Sequence, residues 1–200
     1  RELGVKVPLG AVSSFRPLWS DPITVRVRTN FIHFPSGEIG REAVKMWKKI
    51  ENSKAMISLR NLYAESAAFA AVDRNGGAAA CVVTANGPLG AGKINSSTGI
   101  LMASSPRGAF PGIPVIYVNK PLGETMGVVT GTGDSRRAIK IAKEVFFRKK
   151  EFTKVITHES KDKNGKVNFI HCPNGVREEG HTCRFSADPK GFGLALGAKS

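Results

Sequence analysis

The feature that most restricts the fold is a pair of short apolar runs, residues 67–73 and 78–84, joined by Arg-Asn-Gly-Gly at 74–77. Because Asn-Gly readily adopts the backbone conformation of a tight turn, the two runs are predicted to pair as an antiparallel hairpin. Alanine dominates both runs, and neither alternates with polar residues. This pattern is typical of strands buried on both faces. We therefore expect the hairpin to form the central sheet of a larger structure.

Further strands and helices are predicted on both sides of the hairpin. Residues 23–29 alternate apolar with polar as a half-buried strand does, and a helix is predicted from about 41 to 62. The other predicted elements are strands near 113–118, 125–132, 152–158, 166–171 and 182–186 and a helix over 135–150, expected to cover the hairpin. Strands that pack against helices give an α+β or an α/β fold.

The charge of the chain is high and unevenly distributed. Over 200 residues the net charge is +14, and residues 1–60, 61–135 and 136–200 contribute +6, 0 and +8. With 41% apolar residues the chain is long enough for one globular domain, and no stretch reaches the roughly 18 apolar residues of a membrane span. No signature of specific nucleic-acid binding is present, so none is expected.

The densest basic run, residues 136–150, has helical periodicity. Ile139, Ala142, Val145 and Phe146 fall on one face, and the cations are expected on the other. Such a helix could lie on an anionic surface, or it could be a packed helix with a charged outer face.

The cysteines allow three interpretations. Cys172 and Cys183 flank a segment with a Pro-Asn-Gly turn, which favours a hairpin disulfide, although free thiols remain open. The neighbouring His171 and His181 also allow a metal site, but their spacing matches no common zinc pattern. No metal or cofactor is expected. Asn95-Ser-Ser forms an N-glycosylation pattern if the chain is secreted.

Four fragments occur in an order that resembles one known family. They are residues 66–86, Gly90-Ala-Gly with Thr98-Gly-Ile-Leu, Gly-Thr-Gly-Asp-Ser-Arg at 131–136, and Ala-Asp-Pro-Lys-Gly at 187–191. Together they resemble the small subunit of γ-glutamyltranspeptidases, which belong to the N-terminal-nucleophile hydrolases. The resemblance covers about residues 66–198. It implies an α+β, four-layer αββα fold, of which residues 66–200 would be the small-subunit half. Residues 1–65 would precede a self-cleavage site.

The resemblance also implies a site. Ser66 occupies the nucleophile position, where the family has Thr, and its α-amine would act as the base once the Glu65–Ser66 bond is cut. Thr84 corresponds to a second Thr that hydrogen-bonds the nucleophile, and Asn86 to a donor-binding Asn. Gly133 falls on the glycine pair of the oxyanion hole. The same residues have plainer interpretations: a helix-capping or strand-edge Ser, a strand Thr and turn residues.

Several positions depart from the family pattern. The acidic pair that binds the donor's ammonium would fall near Ser105, where the only charge is that of Arg107, and the second oxyanion glycine is Asp134. A cation repels an ammonium, and a carboxylate opposes an oxyanion. The residues beside the cut, Ala67-Ala68-Phe69, have lost the family's polar groups.

These observations predict a γ-glutamyltranspeptidase-like (glutathione hydrolase-like) protein in which amide-acyl hydrolysis or transfer is lost or altered. It would be secreted, and a large subunit or a second copy of the chain would complete it. The alternative is a non-catalytic basic protein whose two basic flanks bind an acidic glycan, surface or protein partner.

Overall fold

A computed structural model describes residues 19–49, 66–85, 89–103, 112–133, 135–148, 151, 154–155, 165–177, 183–191 and 193–197. Its elements, in chain order, are β1 (Ile23–Val27), β2 (Asn30–Phe34), α1 (Gly37–Lys49), β3 (Ser66–Val72), β4 (Ala78–Thr84), β5 (Gly112–Asn119), β6 (Glu124–Gly133), α2 (Ser135–Phe146), β7 (Gly165–His171) and β8 (Arg184–Ser186).

The strands of the described residues form two antiparallel sheets. Six of them make one sheet in the order β1-β2-β5-β6-β7-β8, and β3 with β4 makes a separate hairpin. The hairpin packs on β5, β6 and β7, which also contact α2. Since β1, β2 and α1 precede Ser66 and still belong to this sheet and its core, the segments before and after Ser66 share one structure.

The two helices cover one face of the large sheet. Alternate residues of the strands, among them Ile32, Val115, Val129 and Val167, are fully buried beneath the helices. Glycines in β6 allow α2 to lie close: a Cβ on Gly131 would be 2.4 Å from the Cβ of Ala138. The absence of side chains there removes the steric clash that would otherwise push helix and sheet apart.

The hairpin lies on the opposite face of the large sheet. The Asn168 side-chain amide of β7 donates to the Ala68 carbonyl of β3 over 2.7 Å. At the other end of the hairpin, the Thr125 hydroxyl donates to the Gly76 carbonyl over 2.7 Å. These two bonds fix the direction of the hairpin, so its turn lies over the start of β6 and its open end lies over the end of β6.

Most predicted elements are confirmed, including the hairpin, β5 to β7, the start of α2 and the α+β class. Two of the predicted elements are wrong in type or in position, and one strand was not predicted. The 23–29 strand is followed by an unpredicted partner, β2, after a turn at Arg28 with φ of 57°. Residues 154–155 are helical and not part of a strand. The helix over 135–146 covers the large sheet and not the hairpin. The predicted helix beyond residue 49 lies outside the described residues.

The hairpin also differs from the prediction in its burial. Its outer face is apolar but exposed, with relative exposures of 54% for Phe69 and 51% for Val83. Among the described residues the layers are therefore helices, large sheet and hairpin, and the second helical layer of a four-layer sandwich is not among them.

Two cations of the basic helix point inward, against the prediction that they all lie outside. The Lys143 ammonium donates to the Trp47 carbonyl of α1 over 2.8 Å, and it lies 5.3 Å from the centre of the Trp47 ring. It thereby joins the two helices. Ile139, Ala142, Val145 and Phe146 are buried as predicted.

The second inward cation, Arg137, forms a buried ion pair. Its guanidinium donates to the Asp188 carboxylate over 2.7 Å and to the Gly165 carbonyl. Both side chains are 1% exposed. The same carboxylate accepts the Val167 amide over 3.0 Å and the Lys190 amide over 3.0 Å. Asp188 thus links α2, β7 and the chain after β8.

Replacing Asp188 with Ala should lower the free energy of unfolding by about 3–5 kcal/mol, because the Arg137 charge would stay buried without its partner. Urea denaturation measures this loss. The matched control is Glu42→Ala, which removes the exposed 2.6 Å ion pair with Lys45 and should cost less than about 1 kcal/mol. Equal losses in the two variants would contradict the assigned role of Asp188.

Candidate functional site

Ser66 and Thr84 lie directly opposite each other at the open end of the hairpin. They are cross-strand partners in the register of β3 and β4, followed by Ala67 with Val83 and Ala68 with Val82. Cross-strand partners have Cβ atoms only about 4.5–5.5 Å apart. The two hydroxyl-bearing side chains are therefore neighbours.

Both side chains face the large sheet. Side chains alternate along a strand, and the exposed Phe69 and Val83 mark the outer face of the hairpin. Ser66 and Thr84 lie at the alternate positions, so their side chains are on the other face, and each residue is partly buried. The Ser66 hydroxyl is thus directed between the two sheets and not toward bulk solvent.

The large sheet presents polar side chains beneath this end of the hairpin. Asn168 faces the hairpin, as its bond to Ala68 shows, and its register partner on β6 is Thr130. One step further toward Ser66, Thr132 of β6 pairs with Lys166 of β7. Since residues two apart share a face, Thr132 and Lys166 lie on the hairpin side at the level of Ser66.

Thr130 carries an unsatisfied polar group in this layer. The residue is 0% exposed, and its hydroxyl oxygen has no hydrogen-bond partner among the residues that the structure describes. A buried hydroxyl without a partner costs about 1–3 kcal/mol. The space between the sheets is therefore not an ordinary apolar core at the end where Ser66 lies.

Gly133 ends β6 at the same end of the sheet. Its φ is +73°, which side-chain-bearing residues rarely adopt, and it pairs with Gly165. Helix α2 begins two residues later. The structure therefore brings Gly133, Ser66 and Thr84 to one end of the molecule. The other residues predicted for the site, Asn86, Ser105, Arg107 and Asp134, lie outside the described residues.

Sequence analysis missed Thr132, Lys166 and Asn168. The signal was present in residues 165–171, where buried Val167 and Phe169 alternate with more exposed polar residues. That pattern predicts which side chains leave the helix-covered face. It does not predict that a hairpin from residues 66–84 covers the other face.

The cysteine alternatives are resolved in favour of the disulfide. Cys172 and Cys183 are bonded, whereas Cys81 is a free thiol. Within the described ranges no cluster of His, Cys, Asp and Glu could hold a metal ion.

In the Asn-Ser-Ser pattern, the Asn95 side-chain carbonyl accepts hydrogen bonds from the Ser97 hydroxyl over 2.6 Å and from the Ser97 amide over 3.0 Å. In this part of the chain, no helix combines the length and apolarity needed to cross a bilayer.

His171 lies beside this disulfide in an aromatic environment. Its ring centre is 5.5 Å from that of Phe146 and 5.9 Å from that of Phe169. Burial, followed by the positive charge of Arg184 on β8, lowers the pKa of His171 to about 4. The imidazole is therefore neutral at physiological pH.

No protein-family model matches the chain. No curated protein matches it either. Solved structures of γ-glutamyltranspeptidase from Pseudomonas nitroreducens are similar to it. A highly active mutant has 15% identity and a TM-score of 0.48, and the complex with L-DON has 16% identity and a TM-score of 0.46. Each match covers 66% of this chain and 99% of the other. The similar structures come from the family that the residue resemblance named. At this identity and these TM-scores, the likeness carries no conclusion about activity.

The lowered pKa of His171 predicts a pH dependence of stability. In the unfolded chain His171 binds a proton below about pH 6.5, its ordinary pKa, whereas in the folded chain it does so only near pH 4. The free energy of unfolding should therefore decrease as the pH is lowered from 6.5 to 4. His171→Gln should make the decline shallower between pH 6.5 and 4. Urea midpoints of both proteins across this range measure the difference. Parallel curves would show that His171 is not protonated on unfolding.

Proposed function

We propose that the open end of the hairpin is the active site of a γ-glutamyltranspeptidase-like acyl hydrolase or transferase with altered donor recognition. The observation that carries this proposal is the cross-strand pairing of Ser66 with Thr84. Both hydroxyls face the space between the sheets, where the large sheet contributes further polar groups. The other side chains on the inner face of the hairpin are alanine and valine. If Ser66 and Thr84 served only to pack the hairpin on the large sheet, apolar residues would be sufficient there too.

The proposed chemistry begins with self-cleavage: the Ser66 hydroxyl attacks the Glu65 carbonyl, and the Glu65–Ser66 peptide bond breaks to give an ester and the protonated Ser66 amine. Water hydrolyses this ester, which leaves a Glu65 carboxylate and a Ser66 with a free hydroxyl and a free α-amine. That amine takes the proton of the Ser66 hydroxyl as the oxygen attacks an amide carbonyl. The C–N bond then breaks, the leaving amine takes the proton, and an acyl ester forms on Ser66. Water or a second amine takes the acyl group and restores the hydroxyl.

The neighbouring residues have supporting roles in this proposal. Thr84 would hydrogen-bond the Ser66 hydroxyl and hold it in the attacking orientation. Gly133 would offer its backbone amide to the developing oxyanion, and its lack of a side chain would let the substrate approach closely. Asp134 follows directly, so its carboxylate would have to point away from the oxyanion.

Donor recognition would differ from that of the family. Ser105 and Arg107 stand near the positions of the acidic pair that binds the donor's ammonium. Without these carboxylates, a glutamyl group would lose the contact that distinguishes it from other acyl groups. A smaller or differently charged acyl group is therefore the proposed donor.

The four-layer architecture and a partner are part of the same proposal. The exposed outer face of the hairpin, which includes Phe69 and Val83, is where a second layer would pack. Burying these side chains would stabilise the complex by about 25 cal/mol for each Å² of apolar area covered. A large-subunit-like chain is the proposed occupant.

A second candidate is the non-catalytic basic protein. The observation in its favour is a group of exposed cations on the helical layer: Arg41, Lys45, Lys48, Lys49, Lys140 and Arg148. This surface lies on the side of the large sheet away from Ser66. It would bind an acidic partner with an affinity that falls steeply as salt rises, because exposed charges are screened. Binding that is independent of salt would remove this candidate.

Ser66→Ala should abolish both the self-cleavage and the turnover of amide substrates, since it removes the attacking oxygen. Intact-mass analysis of the purified protein shows whether a fragment begins at Ser66, and a panel of chromogenic anilides measures turnover. Ser66→Thr should retain cleavage because it keeps the hydroxyl.

The control for this experiment is Ser97→Ala, which removes an exposed hydroxyl from the turn at 95–99, outside β3 and β4, and should change neither readout. Thr84→Val keeps the shape of the strand residue and should slow cleavage by about tenfold, which corresponds to one hydrogen bond of about 1.4 kcal/mol. A chain that remains uncut and inactive at 21.4 kDa would contradict the proposed catalysis.

A further inference from the structure

A polar turn at residues 95–98 lies at the tip of a loop outside both sheets. The loop comes after β4 and is described over residues 89–103. Its two arms pair antiparallel through the bridge between Ile94 and Leu101. None of its side chains belongs to the buried core of the described residues. The turn therefore projects from the body of the fold on a short two-stranded arm.

This turn contains the Asn95-Ser96-Ser97 pattern. It is the one place in the 200 residues where an Asn is followed two positions later by Ser or Thr, which is the pattern that N-glycosylation requires. Ser96, Ser97 and Thr98 are exposed, and Asn95 is partly exposed. The pattern thus lies where a bulky modification meets no core residue.

The hydrogen bonds of the turn orient the Asn95 side chain. Its Oδ1 accepts hydrogen bonds from the Ser97 hydroxyl over 2.6 Å, the Ser97 amide over 3.0 Å and the Thr98 amide over 3.0 Å. Because two backbone N–H groups point at this atom, it is the oxygen, and the other terminal atom is the nitrogen Nδ2. Nδ2 has no hydrogen-bond partner among the described residues. The atom that N-glycosylation modifies is therefore available.

All the contacts that shape this side chain are local. Each joins Asn95 to a residue two or three positions later. Asn side chains form such turns with the backbone that follows them, without help from remote segments. The turn can therefore exist while the chain is still being folded, which is when N-linked glycans are transferred.

The disulfide between Cys172 and Cys183 indicates the compartment. Disulfides form and persist in oxidising compartments, which in a eukaryotic cell include the lumen of the endoplasmic reticulum. N-linked glycans are transferred in the same lumen. The disulfide and the Asn-Ser-Ser pattern are independent features of the chain, and both fit this environment.

We propose that Asn95 carries an N-linked glycan. Its Nδ2 forms a bond to C1 of the first sugar of a lipid-pyrophosphate-linked oligosaccharide. The C1–O bond breaks, the lipid pyrophosphate leaves with the bonding electrons, and Nδ2 gives one proton to a base of the transferase. No oxidant or reductant takes part. The modification does not depend on the proposed catalysis at Ser66.

Apolar side chains on both sides of the turn give the glycan a physical role. Ile94 is 63% exposed and Ile100 is 65% exposed. Uncovered apolar groups favour association between protein chains. A glycan is bulky and hydrophilic, so one attached at Asn95 would lie beside both side chains and oppose such association.

The test expresses the chain behind a secretory leader in cultured mammalian cells. Intact mass and gel mobility are measured before and after treatment with peptide-N-glycosidase, which converts a glycosylated Asn to Asp. We expect one glycan that the enzyme removes. Treatment in heavy-oxygen water should leave its label at Asn95, where peptide mass spectrometry locates it. Chain retained in the cells is measured too, because transfer occurs on entry into the lumen.

Three variants and a matched control identify the acceptor. Asn95→Asp keeps the oxygen that Ser97 and Thr98 bind but removes the amide nitrogen, so it should lose the glycan and keep the turn. Ser97→Ala should also lose the glycan, whereas Ser97→Thr should keep it because it keeps the hydroxyl. The control is Asn174→Asp, which removes an exposed turn amide that no Ser or Thr follows, and it should stay glycosylated.

The disulfide reports whether each variant has entered the lumen. An unaltered chain with Cys172 bonded to Cys183 and with its unmodified mass would overturn the inference. A glycan that persists in Asn95→Asp would overturn it as well. Light scattering at equal concentration tests the role of the glycan: Ser97→Ala should associate more than the unaltered chain, and equal association would overturn the covering of Ile94 and Ile100.

Discussion

The buried ion pair between Arg137 and Asp188 determines how the two ends of the fold meet. Arg137 lies in the first turn of α2, and Asp188 lies beyond β8, so the pair joins segments 51 residues apart. The Asp188 carboxylate also accepts a hydrogen bond from the Val167 amide of β7, just beyond the part of β7 that pairs with β8. Because several donors bind the Asp188 carboxylate, the cost of burying its charge is offset. The position of Lys166, immediately before Val167, follows from this arrangement.

Small side chains allow the layers to approach on both faces of the large sheet. Gly131 makes room for Ala138 of α2, and the alanines of β3 and β4 let the hairpin lie flat on β5 to β7. The Asn168 amide can reach the backbone carbonyl of Ala68 because no larger side chain intervenes. With a bulky inner face, the hairpin would stand away from the sheet, and Ser66 would lie far from Thr132 and Lys166. The packing of alanine and glycine therefore places the candidate site.

Sequence patterns predicted the elements better than their arrangement. The turn at 74–77 was enough to predict that the two runs pair, because a hairpin is a local structure. The proximity of Ser66 to Thr84 was implied only by the family resemblance, and the register of the hairpin makes them cross-strand partners. The face that the hairpin covers depends on contacts such as Thr125 with Gly76, which are remote in sequence. The outer face was predicted to be buried because Phe69 and Val83 are apolar, but burial also needs a partner layer. Lys143 and Arg137 looked like solvent-facing cations, and only the packing of α2 on Trp47 and Asp188 shows that they point inward.

The charges at positions where the residue resemblance implies donor contacts do not all change in one direction relative to the family pattern. The positions expected to hold carboxylates for an ammonium carry Ser105 and Arg107 instead, and Lys166 lies in β7 toward the end of the sheet where Ser66 is located. An acyl donor with an ammonium would meet repulsion in such a site, whereas a donor with a single carboxylate would meet attraction. Asp134, a carboxylate at a position where the family pattern has a glycine, would repel such an anionic donor, so the substitutions have no common sign.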